Sequence, residues 1–184
     1  MRPNPGRGRA QAKSAPGPAA DSAPGEGART AAGHLEWRRG EHEISTDPAR
    51  LDIALVHGFL TRSYWARGIP LEVVRRSIEH SIAFGLYHGA RQIGFARWIT
   101  DRATFAYLGD VFVLDEYRGR GLGKWLMEAV VSHSDVQGHR RWVLLTRDAH
   151  ELYRTYGFTA LAEPGRYMER RWPDAYGAEP DREG

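Results

Sequence analysis

Hydrophobic positions along this chain follow two periods, and the switch between them divides it. Residues 49–62 place Leu51, Leu55 and Phe59, and also Ile53, Val56 and Leu60, at helical spacings. Thr46-Asp47-Pro48 ahead of them reads as a helix start, with a capping side chain and then a proline whose missing N–H costs nothing. Gly68-Ile69-Pro70 opens a second helix over 71–80, with Val73, Val74 and Ile78 apolar. From residue 82 the period shortens. Residues 82–88, 93–100 and 104–113 read as three strands joined by short turns, hence antiparallel. A helix over 121–132 carries Leu122, Leu126, Ala129 and Val130 as its apolar stripe. A buried strand over 142–146 follows, then a short helix over 148–156 stopped by Gly157. Residues 158–161 and 167–171 read as two last strands, and residues 41–45 as the first. The order is βααβββαβαββ. The strand–helix–strand unit from Tyr107 to Thr146 needs a crossover, so its two strands are expected to be parallel.

Residues 1–33 contain no Leu, Ile, Val, Phe, Tyr or Trp. Such a segment cannot bury enough apolar surface to offset its ordering entropy. The expected organisation is a disordered basic tail over 1–40, one domain over 41–172 and a flexible end over 173–184. The whole chain of 184 residues carries a net charge of +3. Residues 1–40 alone carry a net of +4, the remainder −1. The positive excess thus sits in the tail, which argues against a specific nucleic-acid surface on the folded part. There is no cysteine, which removes disulfides, thiolate zinc sites and cysteine nucleophiles. The eight histidines show no ligand spacing, so no metal is expected. No apolar run has membrane-spanning length, no secretory leader precedes the first acidic residues, and the cytoplasm is the expected compartment.

The strongest chemical signal is the run from Asp110 to Lys124: strand, short loop, then helix, with Gly119, Gly121 and Gly123 around the helix start. Glycine permits close backbone approach, and the free N–H groups of a first helical turn face outward at positive potential. Together they suit a pyrophosphate. Arg118, Arg120 and Lys124 add cationic side chains. The P-loop pattern fails because Trp125 follows Lys124, and the glycines are spaced two and two where a dinucleotide fingerprint needs two and three.

Arg118-x-x-Gly121-x-Gly123, opening a helix after a hydrophobic strand, resembles the acetyl-CoA pyrophosphate motif of the GNAT acetyltransferases. Val113-Leu114-Asp115-Glu116-Tyr117-Arg118 resembles that family's lead-in, with Asp115 where proline is common. Ala149-His150-Glu151-Leu152-Tyr153-Arg154-Thr155-Tyr156-Gly157-Phe158 is similar to its second signature. The resemblance covers about residues 41–171. It implies an α/β (α+β) fold with a mixed, mostly antiparallel sheet of about seven strands and a central splayed parallel pair.

It also implies an N-acetyltransferase with acetyl-CoA as co-substrate and direct attack by a primary amine in a ternary complex. By the same resemblance, the backbone of Phe112, Val113 and Leu114 holds the pantetheine arm. The Val113 N–H polarises the thioester carbonyl, and the N–H groups from Arg118 through Leu122 to Lys124 bind the pyrophosphate. Tyr153 matches the position that donates a proton to the departing thiolate.

Asp110 on the strand ahead of the glycine turn has two open readings, a general base or a structural hydrogen-bonding group. Tyr107 with a water chain is the alternative base, and His57 a further, weaker one. Phe59, Tyr64 and Trp65 are expected to form one wall of the acceptor site. The acceptor is expected to be a small molecule; a peptide amine and a non-catalytic acyl-CoA sensor are the rivals. A homodimer is compatible with the residues, which do not fix the oligomeric state.

Overall fold

The computed structural model describes residues 27–172 and 175–177. Most of the expected basic tail and most of the expected flexible C-terminal end lie outside the described residues. A single sheet runs in chain order across seven strands. They are β1 (Ala28–Arg29), β2 (Leu35–Arg39), β3 (His42–Ser45), β4 (Ile82–His88), β5 (Arg91–Thr100), β6 (Phe105–Val113) and β7 (Arg141–Leu144). All neighbours are antiparallel except β6 and β7. The helices are α1 (Ile53–Leu60), α2 (Leu71–Glu79), α3 (Leu122–Ser132) and α4 (His150–Arg154). The expected mixed sheet with one parallel pair is therefore the fold.

Several local expectations are corrected. The sheet begins ahead of residue 41: β2 buries Trp37 against Phe84, with ring centroids 6.2 Å apart. The helix expected from residue 49 is broken. Asp47 caps a 3-10 turn over Pro48–Arg50, the chain extends at Leu51, and Asp52 then caps α1 through the Leu55 N–H. β7 is half-buried and ends at Leu144. The segments expected as two last strands, 158–161 and 167–171, carry no strand among the described residues, and a 3-10 turn at Pro164–Arg166 lies between them. The seventh-strand count is met by β1 and β2 at the other end of the sheet.

The sheet is covered on both faces. α3 lies over one face, where Leu126, Met127 and Val130 meet Phe84, Ile93, Trp98 and Leu108. α1 and α2 lie over the other, where Val56, Leu60, Val74 and Ile78 meet Ala83, Phe95 and Phe112. Burying side chains of this size contributes roughly 1.5–3 kcal/mol each, so these two layers fix β5 and β6 as the rigid centre.

β6 carries the irregularity that shapes the site. Leu108 faces α3, yet Phe112, four residues on, faces α1 and α2. In a regular strand both would share a face. The register shows why: Arg97 pairs with Gly109 and Phe95 with Phe112, so Asp110 and Val111 together oppose Ala96. This is a β-bulge, and Asp110 sits in it with φ 56°. Beyond the bulge β6 has no strand partner on its far side among the described residues. Its ladder with β7 stops at Leu108↔Leu144, leaving Gly109–Val113 bordering a gap.

Candidate active site

The gap is flanked by a cradle at the start of α3. Gly121 caps the helix in the left-handed region with φ 77°, and Gly119 lies at φ 75°. A side chain at either would be strained, which explains glycine there. The space over both is open, with no atom within 4 Å of an added Cβ. No side chain caps the helix and no acid occupies its first turn. The first intrahelical bond is from the Trp125 N–H to the Gly121 carbonyl, so the N–H groups of Leu122, Gly123 and Lys124 are available to an anion.

The cations behave differently from one another. The Lys124 side chain is exposed and makes no hydrogen bond or ion pair to a described residue. Arg118 donates from Nε to the Val113 carbonyl at 3.1 Å and pairs with Asp115 at 2.9 Å. Arg120 donates to the Glu116 carbonyl at 3.0 Å. These two hold the loop while their exposed ends stay near the cradle. The donor set fits a diphosphate: three backbone N–H groups, one free ammonium and two guanidinium groups.

The β6 backbone next to the gap divides by alternation. The Leu114 N–H donates to the Ile93 carbonyl at 2.8 Å, and Phe112 pairs with Phe95. Both therefore face β5. The expectation that Phe112 and Leu114 present their backbone to a ligand is corrected to Val113 alone of the three. Val113 points its N–H the other way, toward the gap. Val111 shares that direction; sequence reading missed it because the bulge shifts the phase.

On the α1 and α2 side of β6 lies a cavity of about 530 Å³, lined among others by Tyr64, Trp65, Tyr107, Asp110 and Tyr153. Asp110 has both carboxylate oxygens engaged. Arg97 donates from Nε to Oδ2 at 2.6 Å and Trp65 from Nε1 to Oδ1 at 3.0 Å. Of the two readings of Asp110, the structure favours the hydrogen-bonding one, because taking a proton would break an ion pair between two largely buried side chains. Arg97 was not singled out in the sequence. Only the β5–β6 register brings it opposite the bulge.

Tyr153 on α4 lies edge-on to Phe158, centroids 6.0 Å apart. Burial pushes its phenol up to about 12, with Tyr64, Asp148 and Tyr107 adding to the rise. Tyr107 is also raised, first by burial and then by Asp110, against the opposing effects of Arg97 and the Leu145 N–H. Tyr64, Tyr107 and Tyr153 thus share one cavity with Tyr176. Tyr156 instead ties α4 to α3 by donating to the Lys124 carbonyl at 2.8 Å.

The loop between α1 and α2 builds the facing wall. Phe59 stacks on Phe112 with centroids 3.8 Å apart and packs against Trp65 at 6.2 Å. Phe59 therefore supports the wall from behind and does not line the cavity, correcting the expectation that it contacts the acceptor. Tyr64 stands edge-on to Trp65, accepts a hydrogen bond from the Arg147 N–H at 3.2 Å, and lies under the Arg147 guanidinium at 4.0 Å. His57 donates from Nε2 to the Ile69 carbonyl at 3.0 Å, which pins the loop, and it does not line the cavity. Tyr176 also borders the cavity. Among the described residues, no group of His, Cys, Asp or Glu is placed to hold a metal ion, and no helix is long and apolar enough to cross a membrane.

Comparison with known proteins points the same way. The acetyltransferase (GNAT) domain family matches residues 79–160. A Gibberella zeae protein assigned as an acetyltransferase is 33% identical over 140 residues, which are 64% of this chain and 78% of that protein. A crystal structure from Xanthomonas campestris pv. campestris, assigned to the GNAT acetyltransferases, is 51% identical with a TM-score of 0.73. It covers 77% of this chain and 100% of its own. A Clostridium acetobutylicum protein assigned as an acetyltransferase, solved with acetyl-CoA, shares the fold at 14% identity and a TM-score of 0.52, covering 71% of this chain and 94% of its own. With its parallel pair parted beside an uncapped, glycine-bordered helix start, this chain belongs to the GNAT family of acetyltransferases.

Proposed function

We propose that the chain transfers an acetyl group from acetyl-CoA to the primary amine of a small molecule, by direct attack within a ternary complex. The observation that carries this reading is the gap beside Gly109–Val113, which opens on the α3 cradle on one hand and on the tyrosine-lined cavity on the other. A diphosphate on the Leu122, Gly123 and Lys124 N–H groups leaves the pantetheine arm to run along β6. The Val113 N–H is then the donor for the thioester oxygen, a contact that strengthens as negative charge develops there.

The acceptor arrives as an ammonium and must lose one proton before it attacks. Asp110 is engaged, and Tyr107 is held protonated, so water passing the Tyr107 hydroxyl takes that proton to solvent. The amine nitrogen bonds to the carbonyl carbon, the C–S bond breaks, and the second nitrogen proton balances the thiolate. Tyr153 donates its hydrogen bond to the leaving sulfur and relays that proton. A phenol near 12 stays protonated at neutral pH, and a thiol near ~8.5 is the weaker base of the two conjugates, so Tyr153 works as a relay and not as a net acid. The cavity volume of about 530 Å³ supports a small acceptor over a peptide.

The test follows free CoA release over an amine panel, with the acetylated product identified by mass. Acetyl-CoA binding without product from any amine would favour a sensor and defeat the proposal.

A further inference from the structure

We infer that the acceptor is a singly charged amine carried on a flat apolar body, an arylalkylamine in kind, and not a polyamine or aminoglycoside; this rests on the transfer reading above. Two independent features of the cavity lead there.

The first is charge. Arg97 and Asp110 cancel within a 2.6 Å ion pair. At the rim, Arg147 and Asp148 again contribute one charge of each sign. Among the described residues, no surplus carboxylate lines the cavity to receive a second or third ammonium. A polycation would strip water from each extra charge with nothing to replace it. One ammonium is different, since it is neutralised when the reaction begins.

The second is the wall. Tyr64 and Trp65 are 44% and 43% exposed, unusual for large aromatic side chains whose polar atoms are both bound. Trp65 is fixed by its bond to Asp110 and by Phe59 behind it. Tyr64 is fixed by Arg147 above and Trp65 beside it. Rings held this way lose little further freedom when a ligand covers them. Tyr107 and Tyr153 line the same cavity. A flat ring suits a lining that carries these four aromatic side chains, since aromatic rings stack at defined offsets. The proposal thereby assigns Trp65 and Tyr64 to acceptor selection and not to acetyl-CoA binding.

The experiment compares kcat/KM for phenethylamine, spermidine and a lysine-containing peptide, beside Trp65→Ala, Trp65→Phe and direct measurement of acetyl-CoA affinity. Phenethylamine is expected to exceed spermidine by at least about tenfold, a scale ordinary for apolar pocket discrimination. Trp65→Ala is expected to erase most of that ratio and to leave acetyl-CoA affinity intact, which also shows that the variant folds. Trp65→Phe is expected to keep the ratio, because it retains a flat ring. Spermidine or the peptide matching phenethylamine overturns the inference alone, as does a ratio unmoved in Trp65→Ala. Failure of every amine in a chain that still binds acetyl-CoA overturns the transfer reading, and this inference with it.

Discussion

Asp110 adopts φ 56°, a region open mainly to glycine and, among other residues, to Asn and Asp. Its two hydrogen-bond donors come from β5 and from the α1–α2 loop, so one carboxylate joins the bulge to the acceptor wall. This makes Asp110 a positioning residue. Asp110→Asn keeps the backbone tolerance and the Trp65 bond but loses the charge pair. It should raise the acceptor KM several-fold and leave the shape of the pH profile unchanged. A base would instead lose kcat by about a hundredfold or more, and the acidic limb with it. Tyr153→Phe should lower kcat by about a hundredfold with acetyl-CoA affinity intact, measured by single-turnover CoA release.

Tyr87 makes a separate residue-scale prediction. Its hydroxyl is buried with no hydrogen-bond partner, and burial, then Asp47, Glu43 and Asp52 against the lowering effect of Arg50, pushes the phenol from 10 up to about 12. A raised folded-state value means that stability is fully present below pH 10 and is lost as the pH rises from 10 to about 12. Tyr87→Phe should stabilise the chain by about 1 kcal/mol at neutral pH, because an unpaired buried hydroxyl is removed. Its advantage in thermal midpoint should widen above pH 10, where wild type begins to lose this contribution.

At the scale of elements, β6 and α3 form the working unit, and a glycine sets their junction. Gly121→Glu puts a side chain where φ is 77° and a negative charge at the uncapped N–H groups. Acetyl-CoA affinity should fall by more than about a hundredfold, the combined effect of backbone strain and charge reversal at an anion site. Calorimetric titration reads it directly, and retained affinity would count against the cradle. This unit was legible in the sequence because every signal in it is local: glycine spacing, an apolar strand, a helix stripe. The bulge was not. Nothing around Asp110 marks an inserted residue, since it arises from the pairing of β6 with β5, where Ala96 faces two residues at once. The same nonlocal pairing hid Arg97 and Val111, and misassigned the backbone of Phe112 and Leu114. The charge pair holding the bulge needs an Arg and an Asp thirteen residues apart in sequence, a spacing that no local pattern reports.

The whole molecule shows the same limit at both ends of its sheet. Residues 167–171 read as a strand in the sequence, but such a reading states what a segment can do and not whether a partner edge is in reach. β7's outer side borders instead a cavity of about 590 Å³, walled in part by Phe158, Leu161 and Tyr167. At the other end, β1 has no large apolar side chain, and β2 offers only Leu35 and Trp37 beside a basic, glycine-rich stretch, so composition concealed both. Yet β2 pairs with β3 from Glu36↔Ser45 to Arg39↔His42, and Trp37 is 6% exposed against the core. A chain cut at residue 40, where composition draws the domain boundary, loses that side chain and bares the β3 edge. Removal of a buried tryptophan alone costs about 3–5 kcal/mol. For a domain of this size each kcal/mol moves the midpoint by about 2–4 °C, so deletion of residues 1–40 should lower it by at least about 6 °C by differential scanning calorimetry, and Trp37→Ala in the full chain should account for most of that loss. A midpoint equal to that of the full chain would mean that β1 and β2 contribute nothing to the sheet they extend.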